Sequence, residues 1–210
     1  DPHSFKNVLD HAIEDGKIKP LIIVLPTYNN TSKEDSGDYS LAIQLTNQFH
    51  NELVNDLIPA VESKYSTYTE NVTKEGLEAS RDHRGFGGFS MGSVNTWNTF
   101  RYCMDYFRYF MPMSGSYSTD GQYMADLVRQ QGYGSDDFFI FAASGTSDFA
   151  YHAFKAQIMA MAQDSDGMFK FANNETDGNL SFLEREGYEH NQMACDEYTY
   201  NGLRFFWNAQ

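Results

Sequence analysis

A chain of 210 residues can bury a sizeable core in one domain, and 41% hydrophobic, 21% charged and 16% aromatic residues is a globular composition. With 15 Lys and Arg against 29 Asp and Glu, the net charge of -14 argues against nucleic acid, whose binding begins with phosphate neutralisation, and against anionic membrane surfaces. No apolar run is long enough to span a bilayer.

Residues 4–15 predict a helix that Ser4 can cap, with Phe5, Val8, Leu9, Ala12 and Ile13 as its apolar stripe and Gly16 as its terminator. Pro20 leads into the apolar run Leu21–Leu25, which predicts a buried strand. Residues 29–37 are polar and loop-like. A long helix is expected over 41–65, interrupted at Pro59. Strands follow at 83–89 and 107–113, with a helix starting just after Ser90. A helix over 120–131 precedes a strand ending near Ala143, and another helix spans 151–163. Residues 164–178 are rich in Asp, Asn and Gly, with room for a short extra strand. NLSFLERE predicts the last main strand and 193–207 the last helix. This alternation predicts an α/β fold in one domain: a mainly parallel sheet with helices on both faces, a three-layer sandwich. Ligands and reactive groups gather at the carboxyl ends of strands in such a sheet. The positions to watch are therefore Thr27 and Tyr28, Ser90 and Met91, Ser114 to Tyr117, Ser147 to Phe149, and Gly187 to His190.

Gly88-Phe89-Ser90-Met91-Gly92 has the pattern of a nucleophile elbow. Serine on a tight, strained turn projects its hydroxyl into a site, and flanking glycines keep side chains out of the turn. The helix that follows aims its N-terminus at the reaction centre, which places the Met91 N–H to bind an oxyanion. A glycine-rich structural turn is the alternative. A serine nucleophile needs a base, and the base an orienting acid, in the chain order Ser, Asp or Glu, His. Of the six histidines, only His152 and His190 follow the elbow. His152 falls at a helix start. His190 lies in the loop between the last strand and the last helix, where the base belongs. Asp148 directly follows a strand and is the expected acid, although an Asp there can equally cap a helix. Asp164, Asp166 and Asp177 are weaker rivals, and Glu189 is expected to point away.

Cys103 and Cys195 are expected to be free thiols. A helix after Ser90 carries Cys103 roughly 20 Å away, whereas Cys195 follows the His placed beside Ser90. The sequence contains no HExxH and no phosphate-cradling glycine loop, so neither metal nor cofactor is expected.

The runs NVLDHAI, LIIVLPTYN and LIPAVESKYSTY resemble feruloyl esterase modules of bacterial xylanases, in carbohydrate esterase family one. So do SRDHRGFGGFSMG, RYFMPMSGSY, FFIFAASGTSDFAY and GYEHNQ, and the resemblance covers nearly the whole chain. It implies an α/β-hydrolase fold, Ser90 as nucleophile, Asp148 as acid and His190 as base. It also implies a secreted, extracellular enzyme acting on feruloylated arabinoxylan or xylo-oligosaccharides, with fused xylanase or carbohydrate-binding modules as partners. Thr27, Tyr28, Ser116, Tyr117 and Phe149 are expected to line the substrate pocket. The chain departs from the family at Ser93, where Gly is common, and at Asn191 and Gln192, where aromatic residues follow the histidine. The family's early strands and its His-Gly-Gly-Gly-like loop, source of a second oxyanion donor, lie upstream of the region matching Asp1. The chain is therefore expected to be a fragment of a longer protein. Two other readings stand beside this one: an acetyl xylan esterase with a smaller pocket, and a carbohydrate-binding relative without turnover.

Overall fold

The computed structural model describes residues 2–29, 32 and 37–208, with the side chains of residues 2–4 outside that set. Its centre is a four-stranded, all-parallel sheet in the order β1 (Gly85–Phe89), β2 (Tyr109–Met113), β3 (Phe139–Gly145) and β4 (Leu180–Arg185). β2 and β3 are buried along their whole length. Alternate residues enter opposite layers, as the strand period of two requires. Phe110, Ile140 and Ala142 join one core cluster, and Tyr109, Met111, Met113, Phe139, Phe141 and Ala143 the other. A parallel sheet sandwiched in this way is read as continuous apolar runs rather than alternating ones, and FFIFAAS is such a run.

The first layer packs α2 (Tyr39–Glu52), α5 (Met91–Tyr102), α6 (Gly121–Gln130) and α7 (Tyr151–Gln163) around Trp97, Phe100, Met124, Phe154 and Ile158. The second packs α1 (Pro2–Glu14) and α8 (Gln192–Leu203) around Leu9, Ala12, Ala194 and Tyr198. Two short helices, α3 (Ile58–Glu62) and α4 (Lys74–Ala79), complete the set in chain order. Asp38, Asp120 and Asn191 begin α2, α6 and α8 by accepting a backbone N–H three residues on.

Several sequence expectations change in the folded chain. α1 begins at Pro2, so Ser4 lies inside the helix rather than before it. Pro59 does not interrupt the long helix, which continues to Glu62. A π turn at Leu53–Leu57, in which Ile58 N–H reaches Leu53 C=O, absorbs the N–H that proline cannot supply. Within 164–178 the extra strand reduces to one bridge, Phe171 to Leu180. α4 is not among the expected elements, although Thr73 caps it by accepting Gly76 N–H at 3.2 Å. Most of the loop 29–37 lies outside the described residues.

The largest difference is at Leu21–Leu25, which forms no strand. Ile22, Ile23 and Val24 are over two-fifths exposed and Leu25 is 89% exposed. A strand exists only where a neighbour completes its ladder. Among the described residues β1 pairs with β2 alone, and nothing pairs with residues 21–25.

A buried charge pair anchors the amino end of β1. Arg84 Nε meets Glu62 Oε1 at 2.6 Å, with both side chains 10% exposed. The same guanidinium donates to Leu77 C=O, Tyr106 C=O and Ser80 Oγ. Removing one partner strands the other charge. Glu62→Ala is expected to cost about 3 kcal/mol, read as a lowered urea midpoint. An unchanged midpoint would show that the pair contributes nothing net.

Candidate active site

β1 ends at Phe89, and the backbone reverses at Ser90 with φ 61 and ψ −117 before α5 begins at Met91. A non-glycine residue at positive φ is held there against a cost of order 1–3 kcal/mol. The turn is fixed by Ser90 N–H donating to Met113 C=O at 2.9 Å, and by Ser90 C=O accepting from Ser93 N–H at 2.9 Å. The two glycines of the motif are not equivalent. A Cβ at Gly88 would lie 2.3 Å from Gly92 C=O, whereas a Cβ at Gly92 would meet nothing within 4 Å. Of the two, only Gly88 is required by close approach. Met91 is the first residue of α5, so its N–H is one of the helix's free donors and points out of the N-terminus.

The carboxyl ends of β3 and β4 are laced together by backbone. Thr146 N–H donates to Arg185 C=O at 2.9 Å, and Ser147 N–H to Tyr188 C=O at 3.1 Å. Thr146 Oγ1 accepts from Gly187 N–H at 2.9 Å. These bonds bring Asp148 against His190, 42 residues apart in the chain. His190 Nδ1 lies 2.9 Å from Asp148 Oδ1 and 2.8 Å from Oδ2. Asp148 is 4% exposed and also accepts Ala150 N–H at 2.8 Å. The Ala150 bond is a local turn ahead of α7, whose N-cap is Ala150 with no side-chain cap, so Asp148 is not the helix cap that the sequence also offered. With Nδ1 directed at Asp148, Nε2 is the nitrogen on the open side of the ring.

The imidazole is flanked by two phenyl rings. Phe89, the residue before Ser90, has its ring centroid 4.4 Å away, and Phe149 is at 4.3 Å. Through this contact His190 lies against the residue that precedes Ser90. Phe149 is 81% exposed and offers an apolar face beside the imidazole. Ser116 is half-buried in the loop after β2. Tyr117 is turned elsewhere: its hydroxyl accepts from Arg101 Nη1 at 2.7 Å. Arg101 is eleven residues beyond Ser90 in the chain, about 16 Å along a helix. Thr27 is exposed and accepts Asn29 N–H on its own hydroxyl. Tyr28 packs on the first core cluster and lines a cleft of about 520 Å³ along α2, with Leu45, Gln48 and Phe49. Ser90, Asp148 and His190 are not part of that lining. His152 and Glu189 are both exposed.

Some neighbours of the site carry no sequence signal. An aromatic at a strand end, such as Phe89, reads as core. Tyr198 is fully buried with its hydroxyl unpartnered, and burial first, then the Asp148 and Glu197 carboxylates, push its phenol above the usual tyrosine range. Cys103 and Cys195 are free. Burial pushes the Cys103 thiol up to about 12. Among the described residues no group of three or more His, Cys, Asp or Glu could hold a metal ion.

No family model matches the chain. Over 209 residues, 97% of this chain, it is 38% identical to endo-1,4-beta-xylanase Y of Acetivibrio thermocellus, and it spans 18% of that protein's length. A solved structure of FAE matches with a TM-score of 0.85 and 38% identity, over 97% of this chain and 70% of that one. A serine-to-alanine mutant of the feruloyl esterase module from Clostridium thermocellum, complexed with sinapinate, matches with a TM-score of 0.85 and 37% identity over the same shares. The parallel sheet with helices on both faces is that of the α/β-hydrolase esterases, and the chain belongs to the feruloyl esterase family.

Proposed function

We propose that this chain is a serine esterase that releases ferulate and related hydroxycinnamates from arabinoxylan, with Ser90, His190 and Asp148 as its triad. The observation that carries the reading is the Asp148–His190 bond, made beside a serine in a strained strand-to-helix turn. Ser90 Oγ attacks the ester carbonyl while His190 Nε2 takes its proton. Asp148 holds the imidazole by Nδ1–H and stabilises the charge the ring acquires. The tetrahedral oxyanion is bound by Met91 N–H at the positive end of α5. Collapse expels the sugar hydroxyl, protonated by His190, and leaves an acyl-enzyme on Ser90. Water activated by His190 then frees the acid.

The acyl preference is supported by the exposed Phe149 ring, an apolar face on which a cinnamoyl ring can stack. A related module binds sinapinate, and another relative is a xylanase, which supports a xylan-linked ester as substrate and fused modules as partners. A polymeric cell-wall substrate in turn supports action outside the cell. The exposed run Ile22–Leu25 and a β1 that pairs with β2 alone among the described residues support a further strand beside β1.

Release of ferulate from methyl ferulate and feruloyl-arabinose, followed by absorbance, tests the proposal. Ser90→Ala is expected to abolish turnover, by about 10⁶-fold, and full activity in that variant would exclude the mechanism. Asp148→Asn is expected to lower kcat by about 10⁴-fold by favouring the wrong imidazole tautomer. Phe149→Ala is expected to raise KM for feruloyl esters by roughly tenfold, as the loss of one aromatic contact implies, and for acetyl esters by less. An equal effect on both substrates would favour the acetyl esterase reading.

A further inference from the structure

Behind the elbow, a side chain that takes no part in the proposed reaction ties the nucleophile's helix to the loop after β2. Ser93 is fully buried and its Oγ donates to Gly115 C=O at 2.7 Å. The same carbonyl accepts the indole N–H of Trp97, also fully buried, at 3.0 Å. Both donors come from α5. Gly115 itself lies flush on the turn: a Cβ there would be 2.5 Å from Ser90 C=O and 2.8 Å from Ser93 Cβ. Ser114, just before it, is at φ 50, so the loop holds a strained conformation of its own. Its far side is fixed by Gln157 Oε1, which accepts Tyr117 N–H and Ser118 N–H.

Gly115, the neighbour of the strained Ser114, thus lies in close contact with the strained Ser90. Ser90 could relax if the loop drew back from the elbow. The bonds onto Gly115 C=O oppose that movement from the helix side. We propose that Ser93 is a positioning residue for the nucleophile: its bond to Gly115 keeps the loop pressed on the elbow and so fixes where Ser90 Oγ points. This rests on Ser90 being the nucleophile. A plain alternative is that Ser93 is a satisfied buried hydroxyl whose loss costs stability and nothing else.

The experiment measures the rate at which a fluorophosphonate labels Ser90 in the intact protein, together with kcat, KM and Tm. Ser93→Ala removes the bond. Thr99→Val is the control, because Thr99 is a buried hydroxyl on the same helix that bonds only within it, to Asn95 C=O at 3.0 Å. The expected result is a roughly tenfold fall in labelling rate and kcat for Ser93→Ala, the scale of a sub-ångström misplacement, with KM unchanged. Thr99→Val is expected to lose as much Tm and label at the wild-type rate. Trp97→Phe withdraws the other donor, and combined with Ser93→Ala it should slow labelling by more than the product of the single effects. Wild-type labelling in Ser93→Ala, or equal slowing in Thr99→Val, would overturn the proposal. A wild-type protein that does not label at Ser90 would overturn it together with the assignment of the nucleophile.

Discussion

The site depends on the pairing of β3 with β4, carried past the strand ends into their loops. A carboxylate as buried as Asp148 is costly unless its oxygens are bonded, and the partners come from both sides of this seam. Ala150 N–H is supplied by the loop after β3, and His190 Nδ1 by the loop after β4. The backbone bonds from Thr146 and Ser147 to Arg185 and Tyr188 hold the two loops in register. They carry the β3–β4 ladder, which ends with Gly145 opposite Arg185, on toward residues 148 and 190. Because the lacing is backbone, it fixes relative position with little dependence on side-chain rotamers.

Ser90 presents the complementary problem. Its conformation is unfavourable by itself and must be imposed by its surroundings. β2 imposes it from one side through Met113 C=O, and α5 closes it from the other. Both elements are rooted in the aromatic core, where Trp97 and Phe100 meet edge to face and Phe100 packs on Phe110 of β2. The rigidity needed for the strained turn is thus the rigidity of the first core layer. Ser90 lies in one structural unit, the elbow between β1 and α5, and Asp148 and His190 in another, the paired loops after β3 and β4. Phe89 joins the two by resting on the imidazole.

What could be read from the chain followed local chemistry. FFIFAAS announced a doubly buried strand because its apolar run is unbroken. Gly88 to Gly92 announced an elbow because the glycine before the serine answers a steric need that any such turn has. Asp148 and His190 could be paired on paper because each lies in a loop that leaves the carboxyl end of a strand, in the order Ser, Asp, His. Where local reading failed, the cause was a missing or unexpected neighbour. LIIVLP has every property of a strand except a partner. Tyr117 sits in a loop that faces the site, yet its hydroxyl is drawn to Arg101 at the far end of α5. Pro59 should break a helix, yet a π turn accommodates it.

The sequence by itself determined the periodicities, the turn chemistry and the linear order of Ser90, Asp148 and His190, because these are properties of near neighbours along the chain. Only the tertiary structure decided which oxygen faces which nitrogen, that Phe89 and Phe149 flank the imidazole, and that Ser93 and Trp97 share one carbonyl behind the elbow. Those are meetings between segments separated by tens of residues. Their geometry follows from sheet register and core packing, quantities that exist only once the chain has closed on itself.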